Sequence, residues 1–277
     1  MKLICRLLIL LLPFSAYAQS PWTQKEGQAY TQLSFTSIAN YSSLFGDPEY
    51  NTEREISDNT VQFFGEYGLT DRVSLFIGVP LKLIETSRQV DNTVAPITDS
   101  GVERNFGNID FGLKYNFSSQ TWVLSGSLEV EANTSTFDSS TGIRTGYDAW
   151  TVTPMFLIGR GFGKTFIQGF MGANLRSNDY SSNFRLGGEV GRKVFNKIWL
   201  IGFLDISTSL KNGKVDLPPE NTLTGLYVND QEFGAFGLKV IGEFTDYSGL
   251  TLGFGGAFFG NNVAKKGALS IGFYQKF

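Results

Sequence analysis

The chain predicts an all-β fold: a closed, transmembrane, antiparallel up-and-down β-barrel of about twelve strands. Three features predict it. Apolar and polar residues alternate with period two almost throughout, the marker of strands with one wet and one dry face. The separations between alternating segments are short and long in turn. The apolar face of each segment is free of charge.

The alternation is plainest early in the chain. In "VQFFGEYGL", Val61, Phe63, Gly65, Tyr67 and Leu69 oppose Gln62, Phe64 and Glu66. In "VSLFIGVPLKL", Val73, Leu75, Ile77, Val79, Leu81 and Leu83 oppose Ser74, Phe76, Gly78 and Lys82. "NIDFGLKYNF" sorts Ile109, Phe111, Leu113, Tyr115 and Phe117 from Asp110, Gly112, Lys114 and Asn116. Segments of this kind begin near Ala29, Thr60, Arg72, Asn108, Thr121, Tyr147, Thr165, Asn183, Lys197, Phe233, Gly249 and Gly267. "TDR", "SSQ", "RGFGK", "FNK" and "TDYS" are the short turns. Long connections are expected over 39–58, 85–107, 133–146 and 210–232. Membrane barrels have short periplasmic turns and long outer loops, and an even strand number puts both termini on the short-turn side.

A soluble sandwich also alternates, but its wet faces meet bulk water. Here the polar face mixes Gly, Ser and Asn with its charges, as in a crowded lumen. A Lys or Arg facing lipid at mid-bilayer costs about 2–4 kcal/mol, which explains the uncharged outer face. Aromatics near strand ends, among them Tyr67, Trp122, Trp150 and Phe258, suit interfacial girdles.

The ends of the chain agree. "MKLICRLLILLLPFSAYAQS" joins Lys2 and Arg6 to an apolar run and small residues, a secretory leader over 1–18 with cleavage after Ala18. Residues 19–277 then form the barrel. Leu269, Ile271, Phe273 and Phe277 face outward on the last strand, which must pair with the first because an open edge in lipid leaves backbone groups unpaired. Phe273 and Phe277 resemble the terminal signal read by the outer-membrane barrel insertion machinery, although Gln275 stands where an apolar residue is usual. The predicted location is the outer membrane of a Gram-negative bacterium.

Composition excludes several functions. Of 23 Lys and Arg and 26 Asp and Glu, the leader removes two basic residues, leaving 21 against 26 and a net charge of −5. No basic patch suggests nucleic acid. There is no histidine, and the single cysteine lies in the leader. An imidazole-dependent catalytic pair and an ordinary zinc site are therefore missing. Neither enzyme activity nor a metal or other cofactor is expected.

The inward face carries Lys82, Lys114, Glu129, Glu131, Arg185, Glu189, Asp205 and Lys239, the candidate pore-lining residues, with opposite charges expected to pair, as Glu66 with Arg72 and Lys114 with Glu129. Phe64, Phe76, Phe170, Trp199 and Phe203 also point inward, to line an apolar path or to fill space. The stretch "GDPEYNTEREISD" is expected to be a loop: simply solvated, a cation-attracting mouth, or a calcium site built from its oxygens. About ten residues, "QSPWTQKEGQ", precede the first strand. They are too few for a plug domain, so any gate is expected from the outer loops.

Two stretches, "EYGLTDRVSLFIGVPL" and "GNIDFGLKYNF", resemble signature hairpins of a family of outer-membrane proteins named for the MetA pathway of phenol degradation. The matching residues are Tyr67, Gly68, Thr70, Asp71, Arg72, Pro80, Gly107, Asp110, Gly112, Lys114 and Tyr115. The resemblance implies a transporter of small molecules, aromatic ones among them, and supplies no catalytic residues. The expected partners are the lipid bilayer, the insertion machinery and a small-molecule solute. The expected function is a channel for passive passage of such solutes; the alternative is a non-conducting barrel that acts through its structure or its loops.

Overall fold

Alternation on this scale can satisfy its backbone in lipid only by closing on itself, and it does. The computed structural model describes residues 19–277, so the predicted leader lies outside the described residues. In chain order the strands are β1 (Ala29–Phe45), β2 (Tyr50–Thr70), β3 (Val73–Gln89), β4 (Gly101–Phe106), β5 (Asp110–Ser119), β6 (Val123–Glu131), β7 (Thr151–Phe162), β8 (Thr165–Arg176), β9 (Asn183–Phe195), β10 (Ile198–Ser209), β11 (Glu232–Glu243), β12 (Ser248–Asn261), β13 (Val263–Ala264) and β14 (Ala268–Lys276). One short helix, α1 (Pro219–Thr224), sits between β10 and β11.

Twelve of these strands make the wall. Each pairs antiparallel with its sequence neighbour, β3 passes directly to β5 and β12 to β14, and β14 pairs with β1 to shut the cylinder. β4 continues the line of β5 along the outer half of β3, and β13 adds to the outer end of β1. At closure Leu33 faces Phe273, and the backbone of Phe277 exchanges two hydrogen bonds with Ala29, at 2.8 and 3.2 Å. Thus the terminal phenylalanine is the last rung of the seam, its ring 69% exposed on the outer surface.

The cylinder is inverted relative to a soluble domain. Leu75, Ile77, Phe111, Leu113, Leu128, Leu186, Val190, Leu204, Phe236, Leu238, Leu252 and Ile271 are exposed outside, while Gln32, Glu66, Ser74, Lys82, Lys114 and Ser125 are buried inside. An apolar belt this continuous has hydrocarbon as its natural solvent.

Two expected long connections are largely strand. β1 runs to Phe45 and β2 starts at Tyr50, so most of 39–58 is a hairpin standing above the barrel, and 85–107 includes β4. The alternation fades there because the pairing shifts register between Ile38 and Tyr41 and again before Ser43, with Asn40 at φ 52°. Hence period two is lost in the sequence while the backbone ladder continues.

The many glycines and phenylalanines have one geometric cause. Phe76 lies directly opposite Gly112, Phe166 opposite Gly191, Phe170 opposite Gly187, Phe203 opposite Gly237, Phe259 opposite Gly234, and Tyr274 opposite Gly249. At each of these glycines a Cβ would fall within 2.0–2.7 Å of the facing ring. Each ring therefore covers the bare backbone of its partner; five of them fill the lumen, while Phe259, exposed, does the same on the outer surface.

Gly237→Ala should lower unfolding stability by about 1–3 kcal/mol by displacing Phe203. Gly242→Ala, where an added Cβ meets nothing within 4 Å, should stay within about 0.5 kcal/mol of the parent. Urea titration of the heat-modifiable folded band measures both.

Candidate functional site: a lumen crossed by loops and a strap

The inward row of charges is largely neutralised in place. Lys82 Nζ lies 2.7 Å from the Asp58 carboxylate, Arg185 2.9 Å from Asp205, and Lys193 2.5 Å from Glu243. Lys239 pairs with Glu189 and lies over the Phe203 ring. Lys114, fully buried, is 3.2 Å from Glu66. These are not the expected partners. Lys114 stands opposite Ser74, and Glu66 opposite Phe76, on the two sides of β3. The small buried serine lets the lysine stem cross to the far strand, where it meets Glu66. Sequence reasoning misses this because it pairs adjacent strands, whereas inside a narrow cylinder long side chains reach over a strand.

The expected acidic mouth is also paired. Glu49 binds Lys265 at 2.6 Å, Glu55 binds Arg88 at 2.8 Å, and Asp58 binds Lys82. Glu53 accepts hydrogen bonds from Ile97 N, Thr98 N and the Thr98 hydroxyl. Four of the five carboxylates of that stretch thus brace the outer hairpin, and their field is compensated locally.

Two loops fold across the outer end. Ile143, from the β6–β7 connection, and Leu226, just after α1, are buried against Ile38, Tyr41, Leu44, Ile56, Ile84 and Ala235 of the inner wall. The loops also lock each other: Arg144 Nε donates to Asn221 Oδ1 at 3.1 Å, and the Thr224 hydroxyl donates to the Gly142 carbonyl at 3.2 Å. Gly142 has φ +72°, and a Cβ there would lie 2.1 Å from the Glu220 carbonyl oxygen, so only glycine permits this crossing.

The segment expected to be too short for a plug domain lies across the inner end. Residues 19–27 turn into the barrel, with Gln19 and Pro21 buried. The Ser125 hydroxyl donates to Pro21 O at 2.5 Å, Lys114 Nζ to Trp22 O at 3.3 Å, and Gln24 N to the Ser74 hydroxyl at 2.9 Å. The Thr23 hydroxyl donates to Asp71 O, and Glu26 N to Asp71 Oδ1, each at 3.2 Å. A Cβ on Gly159 would lie 2.6 Å from Pro21 Cγ, and one on Gly68 2.0 Å from Lys25 O. Trp22 packs edge-on against Phe166. A single extended strap thus enters the inner end of the bore.

Much of the signature hairpin pattern forms this dock. Thr70 closes the turn by accepting from Arg72 N and Val73 N at 3.2 and 3.1 Å, while Gly68, Asp71 and Lys114 hold the strap. The turn chemistry was legible in the sequence; its second use was not, because nothing local pairs residue 22 with residue 114.

Between strap and loops lie two chambers of about 310 and 340 Å³. They share Lys82, Glu131, Asn174, Arg185, Tyr227 and Phe233 as common wall. A cavity of about 150 Å³ accepts benzene, so each chamber has room for a small aromatic or several waters. Of the candidate residues, Lys82, Glu129, Glu131, Arg185 and Asp205 line a chamber. Lys114 is under the strap, and Glu189 and Lys239 are spent on each other. Of the five inward aromatics, Phe64 alone lines a chamber, while Phe76, Phe170 and Phe203 cover glycines. No group of acidic residues has metal-binding geometry among the described residues.

No family model matches the chain, nor does any curated protein. Among solved structures it is similar to an outer membrane channel from Pseudomonas putida F1, at 13% identity over 96% of this chain and 100% of that one, with a TM-score of 0.71. It is also similar to the translocator domain of the autotransporter NalP from Neisseria meningitidis (11% identity, 92% and 90% covered, TM-score 0.55) and to the monoaromatic hydrocarbon channel CymD (9%, 92% and 89%, 0.51). The likeness defines the class: a closed twelve-stranded transmembrane β-barrel of the outer-membrane type.

Replacing Lys114 by Met leaves Glu66 buried without its cation, which should cost about 3–5 kcal/mol. The double variant Lys114→Met/Glu66→Gln should recover much of that in urea unfolding, while still lacking the bond to Trp22.

Proposed function

We propose that this protein is a channel of the Gram-negative outer membrane that passes small solutes passively, with weakly polar and aromatic molecules as the favoured class. The observation that carries this reading is the pair of adjoining chambers held between two closures, neither of them covalent. A barrel built only as a scaffold has no need of internal space. Here about 650 Å³ is kept open, enough for a molecule of many atoms. The solved barrels with this fold include a channel and a translocator, so the fold by itself does not decide between them and the argument rests on the lumen. A chain without histidine also has little means for catalysis in that space.

Passage requires the strap, the loops or both to move. The strap is the weaker closure: its residues 25–28 are exposed, and its grip is a handful of hydrogen bonds worth about 1 kcal/mol each. Lys82, Glu129, Glu131, Arg185 and Asp205 would set the field met by a solute. The solute class rests on chamber size and on the resemblance of the two hairpins to the phenol-pathway family. A non-conducting barrel is the second reading, favoured by the ion pairs that cross the lumen and by closure at both ends.

Deletion of residues 20–26 should raise single-channel conductance in planar bilayers several-fold over the parent, and Gly159→Val should act in the same direction by displacing Pro21. Silence from all three proteins, with the heat-modifiable barrel intact, would favour the second reading.

A further inference from the structure

One group of lumen charges is left over. Asp110 and Glu131 are directly opposite on β5 and β6, and Glu129 is two residues along the same inward row. Among the described residues none of the three forms an ion pair. Glu131 accepts one hydrogen bond, from Asn108. Like charges directly across a ladder destabilise it, and carboxylates taken out of water demand a counter-ion. Of the basic side chains nearby, Arg185 pairs with Asp205, Lys82 with Asp58 and Lys114 with Glu66, while Arg176, which lines the second chamber with Glu131, donates to Ser181 O and Asn183 Oδ1 and lies over the Tyr147 ring.

The strap leads into this cluster. Pro21 is fixed to Ser125 on β6, and Gln19 is two residues further in, 7% exposed, on the wall of the chamber that Asp110, Glu129 and Glu131 also line. An extended chain advances about 3.3 Å per residue. Two residues therefore carry it from the level of Ser125 to that of Ser127, the position before Glu129 on the inward row. The Ser127 hydroxyl is buried there, 7% exposed, without a hydrogen-bond partner. An orphaned acceptor and three unpaired carboxylates at the inner tip of a chain segment call for a compact cation with several donors.

We propose that the α-ammonium of Gln19, created by cleavage after Ala18, is that cation: it docks among Asp110, Glu129 and Glu131 and latches the strap inside the lumen. Processing of the leader thereby completes the charge balance of the barrel. The latch rests on the channel reading only for its purpose; its existence is a separate matter. A free cationic solute in the cluster is the competing occupant.

The test uses the mature full-length barrel purified from membranes, with its first residue established by mass spectrometry. Reductive dimethylation at neutral pH labels amines, and the N-terminal peptide reports the α-amine together with the exposed Lys25 as an internal reference. The α-amine should label about tenfold or more slowly in the folded barrel than in urea, the factor that roughly 1.4 kcal/mol of pairing imposes, while Lys25 changes little. The triple variant Asp110→Asn/Glu129→Gln/Glu131→Gln should lose most of that protection; if it does not fold, Glu129→Gln and Glu131→Gln are read singly. A second arm converts Gln19 to pyroglutamate before refolding. There the α-nitrogen bonds to Cδ, the side-chain nitrogen leaves as ammonia, and the positive charge is lost. Conductance of the cyclised barrel should rise towards that of the 20–26 deletion. A first residue other than Gln19, labelling as fast as in urea, or protection unchanged in the amide variants overturns the latch. A protected amine in a barrel that stays silent even after deletion of the strap overturns the channel and leaves the latch standing.

Discussion

A barrel whose outer face meets hydrocarbon has one place to put its polar side chains, and that place is narrow. Every charge on the inward face must find a partner inside a bore twelve strands around, with little water to share. Much of the rest follows from this restriction. Lys114 reaches over Ser74 to Glu66, Lys239 reaches over β10 to Glu189, and Asp58 holds Lys82 beneath Tyr227. Lys114–Glu66, Lys193–Glu243 and Lys239–Glu189 reach over an intervening strand, while Lys82–Asp58 and Arg185–Asp205 join neighbouring strands.

The same shortage of room explains the glycines. A ring turned inward needs a flat bed, and a glycine directly across the ladder supplies one, as Phe170 on Gly187 and Phe203 on Gly237 illustrate. Rings that lie flat leave space along the axis, and that space is what the two chambers occupy. The wall thickness is set by pairs, so changing one member shifts the bore at that level.

Closure divides between two kinds of chemistry. The outer loops are sealed by apolar packing around Ile143 and Leu226, which is non-directional and gains from tight fit. The inner strap is held mostly by hydrogen bonds that it donates to Ser74 and Asp71 and accepts from Ser125 and Lys114. Such bonds are directional and each is of small net worth. That asymmetry makes the inner side the natural point of opening, and it assigns a role to hairpin residues whose pattern otherwise reads as turn chemistry alone.

The fold was legible in the sequence because lipid imposes a period of two on every strand, and that rule leaves its mark residue by residue: Leu113 out and Lys114 in, Leu128 out and Glu129 in. Strand number, the seam at Phe273 and the side on which the termini lie follow from it. The rule falls silent above the membrane, where both faces are wet, and so the β1–β2 hairpin was hidden among residues 39–58. Which charges pair, which rings cover glycines and where residues 19–27 go were decided only by the closed tertiary structure. Those contacts join positions such as Trp22 and Lys114, far apart in the chain, and they arise when curvature brings opposite walls within reach of a side chain.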